Sequence, residues 1–180
     1  PGLYRAEAGG CNISLPADVH MVADAPGTVV IDCQGTGHRH FVVAAGARAV
    51  LDGLTLANGT SGADAGCVLV AAGGTITIRN SIMTNCIADN NGGALYLAEG
   101  GTCTILKSVL ENCVASGSGG GIYMLSSSLR LSQSSIHRCA AGSCTSSCNG
   151  GALFTHGSDV WMSGGSLFDN SAGDQGGAMF

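Results

Sequence analysis

A glycine-rich block recurs along this chain at a nearly constant interval. Its best copies read Gly-Gly-Ala or Gly-Gly-Gly, then an aliphatic and an aromatic residue, at 92–96, 119–123, 150–154 and 176–180, and two degenerate copies precede them. The aliphatic position falls at residues 41, 68, 95, 122, 153 and 179, so successive copies are 27, 27, 27, 31 and 26 residues apart. A period of this length indicates stacked repeats, because no single repeat can bury its own apolar face.

The composition narrows the possible folds. The 180 residues include 30 glycines, and 45% are apolar and 11% charged. The apolar content is too high for a disordered chain, and glycine at this density is costly inside helices. Glycine lacks the every-third-residue period of collagen. The net charge of −5 argues against a nucleic-acid surface, and no apolar run approaches the ~18 residues of a membrane helix.

Three apolar columns appear when the repeats are placed beneath one another. The first is Phe41, Val68, Leu95, Ile122, Leu153 and Met179; the second is Leu51, Ile78, Ile105, Leu131 and Met162; the third is Leu56, Met83, Leu110, Ile136 and Phe168. Within each segment apolar residues alternate with polar ones, which indicates strands with one buried face. The sequence therefore predicts an all-β solenoid, a parallel β-helix of about six coils with three short strands per coil.

One β-helix segment accounts for the whole chain. Residues 1–40 are predicted to form a less regular first coil, and residues 41–180 the regular coils. The 31-residue step contains a loop insertion near 143–148, whose Cys144 and Cys148 could close a local ring. Because the chain starts at Pro1 and stops at Phe180 inside a repeat block, we expect it to be part of a longer polypeptide.

A polar column follows the third apolar one. Its members are Asn58, Asn85, Asn112, Arg138 and Asn170. Identical side chains of stacked coils lie above one another, so asparagines at a corner can form a hydrogen-bonded ladder. We expect this ladder to be structural. Arg138 interrupts it and is expected to distort the corner or to swing outward.

Nine cysteines in 180 residues favour an oxidising compartment. Cys86, Cys113 and Cys139 follow the asparagine column in three successive coils, and two interpretations stay open: buried reduced thiols, or a disulfide between neighbouring coils. Cys103 occupies an inward strand position, which predicts a core thiol. The sequence shows no partner for Cys11, Cys33 or Cys67.

Two glycosylation sequons, at Asn12 and Asn58, also favour an extracellular location. If Asn58 belongs to the ladder, it is poorly placed to carry a glycan.

The chain resembles the polymorphic outer membrane protein type of β-helix repeat, within the pectin-lyase-like right-handed parallel β-helices. That family combines a GGA-aliphatic block with an aromatic-x-x-Asn block. Segments 92–95, 150–153 and 176–179 match the first block, whereas segments 83–86, 110–113 and 136–139 carry cysteine where the second has asparagine. The resemblance covers the chain from about residue 30 onward and implies a right-handed β-helix. In chlamydial members of that family the β-helix is an adhesin passenger, so the resemblance implies an adhesive role as an expectation.

Residues that could carry catalysis are dispersed. A pectate-lyase-like site would need clustered acidic residues for calcium, and a polygalacturonase-like site several converging carboxylates. The nine aspartates include no Asp-Asp or Asp-x-Asp pair. His38 and His40 form the only histidine cluster and are interpreted as surface residues of a turn, and His20, His137 and His156 are expected to be solvated. We predict no catalytic residue, no metal site and no cofactor.

The column beside the first apolar one is the best candidate for binding. Its members are Val42, Leu69, Tyr96, Tyr123, Phe154 and Phe180. Strand alternation directs it away from the core, so four aromatic rings are expected on one outer face. Such a stripe can contact a partner protein, stack against glycans, or be covered by the chain's own loop at 143–148.

The sequence thus favours a structural or adhesive segment of a large extracellular or cell-surface protein. Its flat outer face would contact other protein subunits, other segments of the same protein, or glycans, with no nucleic-acid partner. A carbohydrate-active enzyme of the polysaccharide lyase or hydrolase type, with an active site not evident in this segment, is the alternative.

Overall fold

The computed structural model describes residues 2–5, 11–142 and 148–180. In these ranges the chain forms 22 β-strands, and every pair of neighbouring strands is parallel. The same ranges contain no helix capable of crossing a membrane. Parallel strands stack with a spacing of about 27 residues over about six turns, so the predicted all-β solenoid is confirmed.

The strands are short, mostly of two to five residues, and two of them reach ten. They are β1 (Gly2–Arg5), β2 (Ile13–Leu15), β3 (Val19–Val22), β4 (Val29–Asp32), β5 (Phe41–Val43), β6 (Arg48–Asp52), β7 (Leu54–Ala57), β8 (Thr60–Ser61), β9 (Val68–Val70), β10 (Thr75–Arg79), β11 (Ile82–Thr84), β12 (Ile87–Ala88), β13 (Leu95–Leu97), β14 (Thr102–Leu106), β15 (Val109–Glu111), β16 (Val114–Ala115), β17 (Ile122–Leu125), β18 (Ser128–His137), β19 (Ala140–Ala141), β20 (Leu153–His156), β21 (Asp159–Phe168) and β22 (Ser171–Ala172).

The strands form three sheets. One sheet is the row β2-β5-β9-β13-β17-β20, and a second is the row β8-β12-β16-β19-β22. The third sheet joins two rows, β3-β6-β10-β14 and β1-β4-β7-β11-β15, because the long strands β18 and β21 run through the corner between them. Each regular coil therefore has four strands, one more than predicted, since two-residue strands are too short to show alternation.

The register between coils confirms the first two apolar columns. Leu95 pairs with Val68 on one side and Ile122 on the other, and Ile105 pairs with Ile78 and Leu131. These side chains are at most 2% exposed and form the continuous core of the solenoid. Burying such side chains contributes about 1.5–3 kcal/mol each, which stacked coils gain together.

The third apolar column was predicted wrongly in the last coil. Ile136 pairs with Leu167, and the next residue, Phe168, pairs with His137. The two residues of every pair that joins β18 to β21 are 31 residues apart in the sequence. The predicted column instead places Phe168 opposite Ile136, which is a step of 32 residues. Leu167 thus packs against the core, and Phe168 lies on the outer side at 45% exposure.

Buried serines satisfy one corner of the coils. The backbone N–H groups of Leu54, Ser81 and Ser108 each donate to a serine hydroxyl of the next coil, at 3.0–3.1 Å. The acceptors are Ser81, Ser108 and Ser134, and each hydroxyl donates to the carbonyl oxygen two residues before it. Buried polar groups are costly without partners, so this serine ladder lets the chain turn inside the fold.

Candidate interaction surface

Four aromatic side chains stack along one outer face, in the row β13-β17-β20 and just beyond it. Ring centroids are 5.1 Å apart between Tyr96 and Tyr123, 4.8 Å between Tyr123 and Phe154, and 5.7 Å between Phe154 and Phe180, with interplanar angles of 6–13°. We call these four residues the aromatic stripe. The predicted outward column is confirmed, and the first three rings are half-buried between their neighbours.

The stripe follows directly from the local sequence. In β13 the inward Leu95 and Leu97 are fully buried, while Tyr96 between them points outward. The parallel register repeats this arrangement one coil later at Tyr123. Because stacked strands are ~4.8 Å apart, aromatic residues in register must lie face to face.

A ladder of polar residues fixes the corner just before the stripe. Its members are Asp64, Asn91, Ser118, Asn149 and Gln175. From Asn91 onward, each backbone N–H donates to the side-chain oxygen of the preceding member, at 3.0–3.1 Å. Sequence analysis missed this ladder, although its steps of 27, 27, 31 and 26 residues match those of the aliphatic column.

The two tyrosine hydroxyls are hydrogen-bond donors at neutral pH. Partial burial raises the pKa of Tyr96 and of Tyr123, and the nearby Asp64 carboxylate raises both further. The stripe therefore combines apolar ring edges with neutral hydroxyl groups.

The asparagine column forms a further corner of the stacked coils. Asn58, Asn85 and Asn112 all have left-handed backbone conformations, with φ of 55–56°. Asn85 Nδ2 donates to Asn58 Oδ1 at 3.3 Å, and Asn58 Nδ2 donates to Asp32 Oδ1 at 2.8 Å.

The model of the family described as "Right handed beta helix region" matches residues 66–176, which is more than half of the chain.

The chain belongs to the right-handed β-helix family. No curated protein and no solved structure matches it. The family match and the stacked coils fit a pectin-lyase-like parallel β-helix, a fold of surface proteins and polysaccharide-active enzymes.

Asn170 was wrongly assigned to the asparagine column of this β-helix. Arg138 aligns with Asp169, whose φ of 52° matches the column, so Asn170 aligns with Cys139. Its Oδ1 accepts from the Cys139 N–H at 2.9 Å, and its Nδ2 donates to the Ile136 carbonyl at 2.9 Å. The error has the same cause as that at Phe168: the last coil was aligned one residue too far.

Arg138 swings outward, which is one of the two outcomes expected for it. Its backbone keeps the left-handed conformation of the column, with φ 51°. Its guanidinium is exposed and Nη2 lies 3.1 Å from Glu111 Oε2. An exposed ion pair of this kind contributes little to stability.

The cysteines of the β-helix form a within-coil bridge rather than a bridge between coils. Cys86 is bonded to Cys67, with a Cα–Cα distance of 5.5 Å, and Cys11 is bonded to Cys33. Cys113 and Cys139 are free and buried, so the disulfide between neighbouring coils is wrong for all three members of the column. Stacked cysteines in register keep their Cβ atoms about a strand spacing apart, beyond the ~3.8 Å of a disulfide.

The remaining cysteines are Cys103, Cys144 and Cys148. Cys103 is a fully buried free thiol, as predicted, and burial raises its pKa. Cys148 is disulfide-bonded, and Cys144 lies outside the described residues. Most of the 143–148 loop also lies outside them, so cover of the stripe by this loop stays a hypothesis.

Two histidines predicted to be at the surface are buried. His40 is 1% exposed and its Nε2 lies 2.9 Å from the Ile31 carbonyl oxygen, while His38 is exposed, so the two do not share an environment. His137 is 9% exposed and stacks on Phe168 at 4.6 Å. Among the described residues, no three His, Cys, Asp or Glu side chains are grouped so that they could hold a metal ion.

His40 should make the β-helix sensitive to acid. Burial lowers its pKa from 6.5 to about 4, and its Nδ1 has no hydrogen-bond partner. The native state holds the neutral ring, whereas the unfolded chain binds a proton near pH 6.5. The contribution of neutral His40 to the free energy of unfolding is therefore fully present above pH 6.5. It is lost as the pH drops towards 4, and the loss is about 3 kcal/mol at most.

Urea unfolding at pH 7 and pH 4 measures this loss. A His40→Asn variant lacks the titrating group and should lose about 3 kcal/mol less than the unaltered chain over that interval, since the carboxylates titrate equally in both. Equal acid sensitivity of the two chains would show that His40 is not responsible.

Proposed function

We propose that this β-helix is a structural or adhesive segment of an extracellular or cell-surface protein, and that it binds another protein along the aromatic stripe. The observation that carries the proposal is the continuous stack of Tyr96, Tyr123, Phe154 and Phe180 on one face. Clustered aromatic side chains are typical of the energetically dominant part of protein interfaces.

The orientation of the rings favours a protein over a glycan. A sugar that stacks on an aromatic side chain needs an open ring face. The faces of Tyr123 and Phe154 are each covered by the rings before and after them, at 4.8–5.7 Å. What these rings present outward is their edges, which carry the positive part of the ring quadrupole. Carbonyl oxygens, carboxylates and aromatic faces of a partner protein complement such edges.

Other contacts in the described chain favour a rigid support for the aromatic stripe. Hydrogen-bonded ladders run along two corners, and two disulfides tie the first coils. Disulfides are consistent with an oxidising, extracellular compartment. The proposal assigns no catalysis to this segment. For the alternative of a carbohydrate-active enzyme, the described residues contain no group of three His, Cys, Asp or Glu side chains that could hold a metal ion such as the calcium of a pectate-lyase-like site.

Site-specific photo-crosslinking in the native protein tests the stripe. A photoreactive amino acid at position 123 should give a crosslink to one defined protein, and the same group at Thr104, which is outward-facing on another sheet, should not. Tyr96→Ser and Phe154→Ser should weaken binding of that protein at least about tenfold, as expected for residues in the centre of an interface. The matched control Thr104→Ser should leave binding unchanged.

Two results would contradict the proposal. Equal crosslinking from positions 123 and 104 would mean that the stripe has no special role. Binding of free oligosaccharides that is lost in Tyr123→Ser, without any protein partner, would assign the stripe to glycans instead.

A further inference from the structure

The side chain of Asn12 is exposed and free to react. Asn12 has φ 65°, a left-handed conformation that asparagine tolerates well, and its backbone N–H donates to the Arg39 carbonyl. This backbone contact fixes the turn and leaves the amide pointing to solvent, without a hydrogen bond to any described residue. Ile13 and Ser14, which complete the sequon, are exposed as well.

The second sequon, at Asn58, is occupied by contacts between coils. Its Nδ2 donates to Asp32 Oδ1 at 2.8 Å, and its Oδ1 accepts from Asn85 Nδ2 at 3.3 Å. The Thr60 hydroxyl of this sequon accepts from the Gly37 N–H at 2.6 Å. A Cβ at Gly59 would lie 2.7 Å from His40 Nδ1, so the segment is also tightly packed. A glycan on Asn58 would break into these contacts.

We propose that Asn12 is the site of N-glycosylation in this β-helix and that Asn58 is not modified. In the reaction, Asn12 Nδ2 forms a bond to the anomeric carbon of an oligosaccharide carried on a lipid diphosphate. The bond from that carbon to the diphosphate oxygen breaks, the lipid diphosphate leaves, and the amide nitrogen gives up one proton to a base of the transferase. The step involves no oxidation or reduction. The proposal rests on the extracellular location proposed above but not on the partner of the stripe.

The position of Asn12 relates the glycan to the aromatic stripe. Ser14, two residues on, pairs with Val42, which pairs with Leu69, which pairs with Tyr96. The glycan would therefore stand at the beginning of the same face, about three strand spacings, on the order of 14 Å, before the first ring. It would cover the aliphatic end of this face and leave the aromatic end open to a partner.

Mass spectrometry of the chain made in a eukaryotic secretory host tests the assignment. The unaltered chain should carry one glycan at Asn12, removed by a peptide N-glycosidase. Asn12→Gln and Ser14→Ala should each abolish it, whereas Ser14→Thr and Asn58→Gln should retain it. Glycan occupancy is measured on protein inside the cells as well as in the medium, so a variant that folds poorly is still scored.

An unmodified Asn12 in a chain that has entered the secretory pathway would overturn the proposal and leave the role of the stripe untouched. A glycan on Asn58 in the folded protein would also overturn it. If the protein purified from its native source proves cytosolic, the extracellular function itself fails, and this result differs from a secreted but unglycosylated chain.

Discussion

Gly93→Ala should prevent the β-helix from folding or destabilise it by at least about 4 kcal/mol. An added Cβ would overlap sterically with the Gly120 carbonyl oxygen and would lie 2.7 Å from backbone atoms of Val114. Both neighbours are main-chain groups, Val114 in the same coil as Gly93 and Gly120 at the start of the next, and neither can move without separating the stacked strands. Overpacking of this kind, against backbone on two sides, exceeds the usual cost of an extra methyl group in a core.

Gly73→Ala is the matched control. Gly73 has φ +68° and would strain any residue with a side chain, but no atom lies within 4 Å of its added Cβ. The expected cost is about 1–2 kcal/mol, due to conformation alone. Urea unfolding of the two variants separates the two reasons for which this fold needs glycine, space and backbone conformation. Equal losses of stability would mean that the coils can separate at Gly93 more easily than their packing indicates.

These two glycines show how far the sequence could predict the fold. The period and the alternation were enough for the stacked parallel strands, because both reflect which side chains are buried. Within each Gly-Gly block, however, the two positions serve different needs. Gly92 has φ +68°, and a Cβ there would meet the Leu95 carbonyl of the same block, whereas a Cβ at Gly93 would meet the Gly120 carbonyl of the next coil. The second reason depends on a neighbour in the next coil and leaves no local signal.

The errors in the last coil have a single physical cause. Leu167 and Phe168 are both apolar, and the predicted inward column has the second of them where the structure has the first. The nine pairs between β18 and β21 all have the same 31-residue offset, so Leu167 lies opposite the buried Ile136 and faces the core, whatever the hydrophobicity of Phe168. Ring stacking on His137 at 4.6 Å gives Phe168 a partner on the outer side. Pairing between coils thus overrides the preference of one side chain.

The candidate site was predictable in part. The stripe follows from strand alternation, so its four residues could be found from the sequence. That its ring faces are closed depends on the interplanar angles, which only the structure shows. The burial of His40 was not predictable, because His40 packs against Gly59, a residue distant in the sequence, where an added Cβ would lie 2.7 Å from His40 Nδ1.

Cys67→Ala should reduce stability by about 2–5 kcal/mol, the range typical of removing a native disulfide. The substitution removes the crosslink with little change in packing, because other coils already show its result. Ala94 lies one coil after Cys67 and Cys113 one coil after Cys86, and both are fully buried. An alanine opposite a free thiol is thus an arrangement that this fold accepts. Urea unfolding with and without a reducing agent measures the effect, which should vanish when the unaltered chain is reduced.

The same repetition predicts that Ala94→Cys will create a new disulfide with Cys113. The stacked register gives positions 94 and 113 the relation that Cys67 and Cys86 have, with a Cα–Cα distance of 5.5 Å and a sequence separation of 19. A loop of this length should add about 3 kcal/mol. In the double variant Cys67→Ala with Ala94→Cys, the crosslink moves one coil along the β-helix and the gain should largely offset the loss. Peptide mapping must find the introduced cysteine bonded to Cys113; its bonding to Cys86 or Cys139 instead would show that neighbouring coils are not equivalent at this corner.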